Sequence, residues 1–284
     1  MYMLLVLSVM AAALNSMLLH KLPASKNIFA FNFYGALLWI VILTMANGMH
    51  ISLSREVVWW GTAYGAVQVL FLVFKAKAMA SGPVSITTLI GNCSMLLSVA
   101  ASLLLWKEKV SAGQILGLVC LMVSVFLCTH AKSEMQMTGQ WKVNCILFFV
   151  LAAGVGIVFK GFSRSGAQAM AGDMMLFSSV VMALALCIIL LLQKSKKKDA
   201  ALPKTEHSYG MLVICCGILS CIYNRLNISL SGALPGMVFF PCFNGGVIIV
   251  SGLLGKFVLK EKLTLRQNLG LVMGTMAVLV IGIF

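Results

Sequence analysis

Acidic residues are scarce in this chain, with seven Asp and Glu among 284 positions against 21 Lys and Arg. None of the seven (Glu56, Glu108, Glu134, Asp173, Asp199, Glu206, Glu261) falls inside a long apolar run; each lies in a connection or at the end of a run. A carboxylate held in mid-membrane is the usual carrier of a coupling proton or an organic cation, despite a cost of about 2.5–3.5 kcal/mol at a helix centre. Its absence argues against a cation/proton antiporter built on a buried carboxylate. It argues equally against a dedicated divalent-metal transporter, which would supply hard oxygen ligands. The nine cysteines include no Cys-x-x-Cys, and no His stands at ligand spacing, so neither a zinc site nor a disulfide framework is expected. The histidines (His20, His50, His130, His207) sit at the ends of apolar runs, as interfacial residues do. No Gly-x-x-x-x-Gly-Lys-Ser/Thr loop occurs. The sequence also shows no paired Asp, no Ser with a base and no acidic metal ligands within the membrane, one of which an intramembrane protease or lipid transferase would need. The expectation is a protein that is not an enzyme and uses neither cofactor nor metal.

What is present is apolar: 61% of residues are hydrophobic, 10% are charged, and the mean hydropathy is +1.03. Soluble domains average about 45–50% apolar and about 25% charged. Ionisable residues fall in short clusters between apolar runs of about 17–25 residues, the length of helix that crosses a hydrocarbon core. The runs predict ten helices: Tyr2 to His20, Ile28 to Ala46, Val57 to Phe74, Pro83 to Trp106, Ala112 to Cys128, Val143 to Phe159, Met174 to Leu192, Tyr209 to Leu226, Leu234 to Val258 and Gln267 to Phe284. They are apolar on every face, whereas barrel strands alternate with period two, so the fold class is an all-α integral membrane protein. The first run has no basic region before it and reads as a helix of the mature bundle rather than a signal peptide. The longest connections, Thr129 to Lys142 and Gln193 to Ser208, are too short for a soluble domain. The net charge of +14 traces to Lys-rich membrane boundaries, so the expected partners are the lipid bilayer and a small-molecule substrate, with no nucleic acid. The expected location is multi-pass in the cytoplasmic membrane of the cell.

Lys-Glu-Lys occurs twice, at 107–109 and 260–262, each time between two apolar runs. From there KEKVSAGQILGLV and KEKLTLRQNLGLV align without a gap, 153 residues apart, with 8 of 13 positions identical. Four matches (Lys107/Lys260, Glu108/Glu261, Lys109/Lys262, Gln114/Gln267) are polar, so shared hydrophobicity does not explain them. The alignment extends to Ser98/Ser251 and, past one small gap, to Pro83/Pro235. This period exceeds the roughly 20–50 residues of solenoid repeats and fits two halves of a membrane transporter, residues 1–130 and 131–284. With five helices each, the halves enter the membrane in opposite senses, as an inverted repeat. Fifteen Lys and Arg residues fall in the odd-numbered connections and six in the even ones, which places the odd connections in the cytoplasm and both termini outside. The run Lys194, Lys196, Lys197, Lys198 reads as a topology anchor.

Uncharged polar residues lie within the runs: Asn15, Tyr64, Gln68, Asn92, Ser94, Tyr223, Asn224 and Asn244. Lipid offers them no partner. They either bond between helices, at about 0.6 kcal/mol each, or line a cavity, and their concentration in helices 1, 3, 4, 8 and 9 favours a cavity. Gly91-Asn92 and Asn244-Gly245-Gly246 occupy the middles of the equivalent helices 4 and 9, either as kinks beside a substrate or as points of close packing like Gly117 and Gly270. Basic residues close several helices: Lys75 and Lys77 at helix 3, Arg225 at helix 8, His20 and Lys160 at helices 1 and 6. Such residues snorkel to the headgroups or turn inward to pair with a carboxylate or phosphate.

These features resemble the drug/metabolite transporter superfamily, specifically its ten-helix EamA-type proteins. The resemblance rests on the polar break Asn15-Ser16 ahead of Lys21, Gly82-Pro83 opening helix 4, the Lys-Glu-Lys turns, and the Gly-x-Val of helices 5 and 10. The segment FPCFNGGVIIVSGLLGKFVLKEKLT, Phe240 to Thr264, is similar to the helix 9 to helix 10 passage of many bacterial members. It implies that helices 3, 4, 8 and 9, with 1 and 6, surround a central cavity while 5 and 10 brace the outside. It also implies cytoplasmic termini, opposite to the charge count. The buried glutamate of the small four-helix multidrug members has no counterpart here. The expected function is a secondary transporter, working as an exporter, of a small neutral, zwitterionic or anionic metabolite such as an amino acid, by alternating access between the two repeats. Exchange of phosphorylated or organic anions, resting on Lys75, Lys77 and Arg225, is the alternative, followed by multidrug efflux and a non-transport membrane role.

Overall fold

The structure, a computed structural model, describes residues 1–19, 27–48, 50–81, 84–129, 138–196, 207–258 and 264–283. Sequence features at His20, Lys21, Gly82-Pro83, His130, Lys197, Lys198 and the second Lys-Glu-Lys lie outside the described residues. Ten α-helices follow in order: α1 (Tyr2–Leu19), α2 (Ile28–Ala46), α3 (Arg55–Ser81), α4 (Val84–Trp106), α5 (Ala112–Thr129), α6 (Gly139–Arg164), α7 (Ala171–Lys196), α8 (His207–Ala233), α9 (Gly236–Phe257) and α10 (Leu265–Ile283), with a short 3-10 turn, Gln168–Met170, before α7. Among the described residues there is no strand. Among the described residues, nine helices are long and apolar enough to cross a membrane; the apolar part of α5, Ala112–Cys128, is shorter. The chain is a multi-pass, all-α membrane protein. Its outer surface is consistent with lipid: Leu184, Ile188, Leu191 and Leu192 form an exposed apolar stripe along one face of α7.

Several helices run past the basic residues at which their apolar runs were expected to end. α3 continues beyond Lys75 and Lys77 to Ser81, α6 beyond Lys160 to Arg164, and α8 beyond Arg225 to Ala233. A charged side chain changes the solvent a helix prefers without breaking its hydrogen-bond ladder, and the stretch KAKAMAS after Phe74 is rich in strong helix formers. Lys75, Lys160 and Arg225 are therefore interior helical residues. At Gly91 and Gly245 the helices are also unbroken. A Cβ at Gly91 would meet the Phe148 ring at 2.6 Å, and one at Gly245 would meet Leu121 at 2.7 Å, so these glycines serve close packing.

The packing of the helices has an internal symmetry. α1 lies against α8 and α9, and α6 lies against α3 and α4; α2 pairs with α7, α4 with α9, and α5 with α10. Exchanging each helix with the one five places along leaves this set of pairs unchanged. The α5–α10 contact repeats the pattern at residue level. A Cβ at Gly117 would crowd Ile281 and the Ala277 carbonyl, and one at Gly270 would crowd Cys128 and the Ser124 carbonyl. Positions 124 and 128 become 277 and 281 when moved by the 153-residue repeat interval. The two helices also begin alike. The Gln114 side chain accepts from the Ser111 N–H while the Ser111 hydroxyl accepts from the Gln114 N–H. Gln267 and Thr264 make the same reciprocal pair. These capping boxes explain why the glutamine recurs in both copies.

The two largest hydrophobic clusters lie on either side of the interior. One joins Leu5, Met95, Leu121, Phe239, Phe240 and Ile281 from α1, α4, α5, α9 and α10. The other joins Trp39, Tyr64, Phe159, Met174 and Ile228 from α2, α3, α6, α7 and α8. Between them lies a cavity.

Candidate functional site

The cavity has a volume of about 290 Å³ and is walled by α3, α4, α6, α8 and α9. That is near the lower end of the roughly 300–1,000 Å³ usual for small-molecule sites. Helical spacing decides which side chains reach it. Gln68, Phe71, Lys75 and Met79 recur every three or four residues and form one face of α3, while Phe148, Ala152, Val155, Gly156 and Phe159 do the same on α6. α4 adds Thr88, Gly91, Asn92 and Ser94; α8 adds Tyr223, Asn224 and Asn227; α9 adds Phe239, Phe240, Phe243 and Asn244. The described lining thus holds five carboxamides, six phenylalanine rings, one cation and no carboxylate.

The amides differ in how far their hydrogen bonds are already committed. Asn224 is used at both ends, its Oδ1 accepting from the Tyr64 hydroxyl at 3.1 Å and its Nδ2 donating to the Ser220 carbonyl at 2.8 Å. Asn227 accepts from the Ser8 hydroxyl at 2.6 Å, which ties α1 to α8. Asn244, a residue of the lining, donates to the Phe240 carbonyl of its own helix at 2.9 Å. Gln68 Oε1 is buried with no partner among the described residues. Buried polar groups are normally satisfied, so an orphaned carbonyl oxygen on a residue of the cavity wall is open to a donor that a ligand brings.

Exposure along the cavity is graded. Lys75, Met79, Thr88 and Asn92, toward the C-terminal end of α3 and the N-terminal end of α4, are half-buried. Phe159, Asn224, Asn227, Phe239 and Phe240, toward the other membrane face, are buried. The cavity is open at the first end and closed at the second, where Phe239 packs edge-on against Phe240 and stacks on Phe243.

Beyond the aromatic floor lies an ion-pair cluster that was not anticipated from the sequence. Lys107, following α4, takes a left-handed backbone with φ of 51°, which turns the chain and directs Glu108 inward. Glu108 Oε1 lies 2.6 Å from Lys160 Nζ and 3.1 Å from an Arg164 guanidinium nitrogen. Its Oε2 accepts from the Gly236 N–H at 2.6 Å, so the carboxylate caps the N-terminus of α9. Lys160 is fully buried and also donates to the Leu234 carbonyl. A Cβ at Gly236 would overlap Ser102 and lie 3.0 Å from Lys160 Nζ, so the position has room only for glycine. The sequence signal was the acidic residue of Lys-Glu-Lys, repeated where a topology anchor requires only the lysines.

Of the residues singled out from sequence, Gln68, Asn92, Ser94, Tyr223, Asn224, Asn244 and Lys75 line the cavity together. Tyr64 sits behind the wall, fully buried against Phe159 with ring centroids 4.8 Å apart. Asn15 is buried in α1 outside the lining, its Oδ1 without a partner among the described residues. Arg225 turns to Ser229 on its own helix, Lys77 is exposed with its ammonium over Phe74, and Lys160 is held by Glu108. Asn227 and the phenylalanine walls were not anticipated. Asn227 stands one helical turn from Asn224, a spacing that could have flagged it. A second depression, from Leu53 to Trp60, is formed by one segment at the start of α3 and does not connect the halves.

Residues 1–129 match the EamA-like transporter family, so the first half of the chain is EamA-like and the resemblance read from its motifs is borne out there. No curated protein matches the chain. A solved protein crystal structure is similar in fold, with a TM-score of 0.77 at 14% identity, covering 98% of this chain and 94% of that one. At that identity the likeness is one of fold alone.

Proposed function

From an EamA-like first half, we propose that the protein is a secondary transporter of the cytoplasmic membrane, acting as an exporter of a small metabolite by alternating access between two inverted five-helix repeats, 1–130 and 131–284. The observation that carries this reading is a metabolite-sized cavity walled by helices of both halves, open toward one membrane face and closed toward the other. Support for the repeats comes from the exchange symmetry of the helix pairs and from the matched capping boxes of α5 and α10. In such an arrangement the access switch is a rocking of one half against the other. Glu108 of the first half, held by Lys160, Arg164 and Gly236 of the second, is the contact that must part when the closed face opens.

The lining favours a neutral, zwitterionic or anionic substrate over a cation, since it carries Lys75 and carboxamides but no carboxylate among the described residues. The test is reconstitution into proteoliposomes preloaded with candidate solutes, with counterflow of the labelled solute measured in both directions. Saturable counterflow of any one solute class, lost on heat denaturation, supports the reading. Leakage no faster than from empty liposomes across amino acids, organic acids and phosphorylated metabolites would remove it.

A further inference from the structure

The cavity must balance the charge of what it holds, and its charge is simple. Lys75 is the one charged side chain in the described lining, with no carboxylate at ion-pair distance among the described residues and the Phe71 ring beside it, 5.6 Å from its ammonium. The other candidate cations are engaged elsewhere: Lys160 pairs with Glu108, Lys77 is exposed outside the lining, and Arg225 bonds along its own helix. A half-buried ammonium without a counter-ion is costly, and a ligand bringing a single negative charge relieves that cost. A phosphate dianion would bring more charge than one lysine neutralises.

The rest of the site is aromatic, with rings on α3, α6 and α9, which suits a flat apolar body better than a hydrated sugar. At depth, Gln68 Oε1 waits for a donor. Gln68 precedes Lys75 by seven residues, so the two groups stem from points about 10 Å apart along α3. An α-ammonium, attached to the carbon next to a carboxylate, would stay beside Lys75 and be repelled by it rather than reach Gln68. A hydroxyl or N–H at the far end of the body would reach.

Resting on the transporter reading of this same cavity, we infer that its substrate class is an organic monoanion with an aromatic-sized body and a hydrogen-bond donor at the end remote from the charge. The anion lies at Lys75, the ring between the phenylalanines, and the donor on Gln68.

The experiment measures binding calorimetrically to the whole purified protein in nanodiscs with four probes that share one 4-hydroxyphenyl ring: 3-(4-hydroxyphenyl)propionate, tyrosine, tyramine and 4-hydroxyphenyl phosphate. The propionate is expected to bind tightest, at least about tenfold above tyrosine, because its carboxylate meets Lys75 without bringing a repelled ammonium. Tyramine should give no heat and 4-hydroxyphenyl phosphate a weaker isotherm than the propionate. Lys75→Gln should weaken the propionate about ten- to a hundredfold, and Lys75→Arg should keep the wild-type order, which separates lost charge from a misfolded variant. Tyramine binding as well as the propionate, tyrosine binding more tightly, an unaffected Lys75→Gln variant, or no binding by any probe would each overturn the inference. Counterflow separates it from the transport reading. Binding in the expected order without movement across the membrane leaves the site assignment standing and removes transport. Movement of another solute class without binding of the aryl anion does the reverse.

Discussion

Glu108 Oε1 lies 2.6 Å from Lys160 Nζ, joining the turn after α4 to the interior of α6 at the closed end of the cavity. The pair is nearly inaccessible, with side-chain exposures of 9% and 0%, and the fully buried Lys160 ammonium takes its counter-charge from Glu108. A buried pair of this kind is weak evidence for net stability, but breaking it from one side is costly.

The two single replacements should differ. Glu108→Gln leaves the Lys160 ammonium buried with no counter-charge, and should cost about 3–5 kcal/mol. Lys160→Met leaves the carboxylate with Arg164 and the Gly236 N–H, and should cost less. The double variant should melt above Glu108→Gln alone. Thermal unfolding in detergent reads the order, and a Glu108→Gln protein as stable as wild type would show that the pair does not hold the closed end.

Gln68→Leu should separate stability from function. Removing an unpartnered buried amide raises the melting temperature, by the equivalent of about 1 kcal/mol, while counterflow falls because the docking oxygen is gone. A destabilised variant would mean that Gln68 is already satisfied.

Three asparagines of the lining should fall into two groups. Asn92→Ala and Asn244→Ala should reduce transport while leaving membrane abundance intact, since the Asn244 amide bonds within its own helix and Asn92 faces the open end of the cavity. Asn224→Ala frees the Tyr64 hydroxyl and should lower stability by about 0.6–1.7 kcal/mol before any effect on transport is counted. Immunoblots beside flux assays discriminate the groups, and unchanged transport for the first pair would remove them from the site.

Close approach of α5 and α10 should make Gly270→Ala destabilising by about 1–3 kcal/mol, because its Cβ would press on Cys128 and the Ser124 carbonyl. Gly35→Ala, in the helix α2 with open space around it, should be neutral or raise the melting temperature. Equal effects at both sites would contradict the packing.

The number and order of helices were legible from apolar run lengths, and α2 agrees with its expected bounds, Ile28–Ala46, at both ends. The ends of α3, α6 and α8 were not. Lysine or arginine marks where a helix meets a new environment, while the backbone ladder continues through KAKAMAS and past Arg225 as long as no residue breaks it. Among the site residues, Gln68, Asn92 and Asn244 were recognisable because an amide inside an apolar run has no use for lipid. Tyr64 satisfied the same criterion and turned out to bond behind the wall, since interhelical bonding and cavity lining leave one signature in sequence.

The sequence by itself determined an all-helical membrane chain, the recurrence of its Lys-Glu-Lys segment at a fixed interval, and a lack of carboxylates inside the apolar runs, because run length, identity at a fixed interval and composition are properties of the chain read in order. Tertiary structure alone decided which polar groups share one space. Lys75, Lys77, Lys160 and Arg225 are chemically alike and similarly placed near the ends of apolar runs, yet one faces the cavity, one is exposed, one is held by Glu108 and one bonds along its own helix. That division follows from the rotation of each helix about its axis and from the neighbour it packs against, and both are set by contacts between residues far apart in the chain.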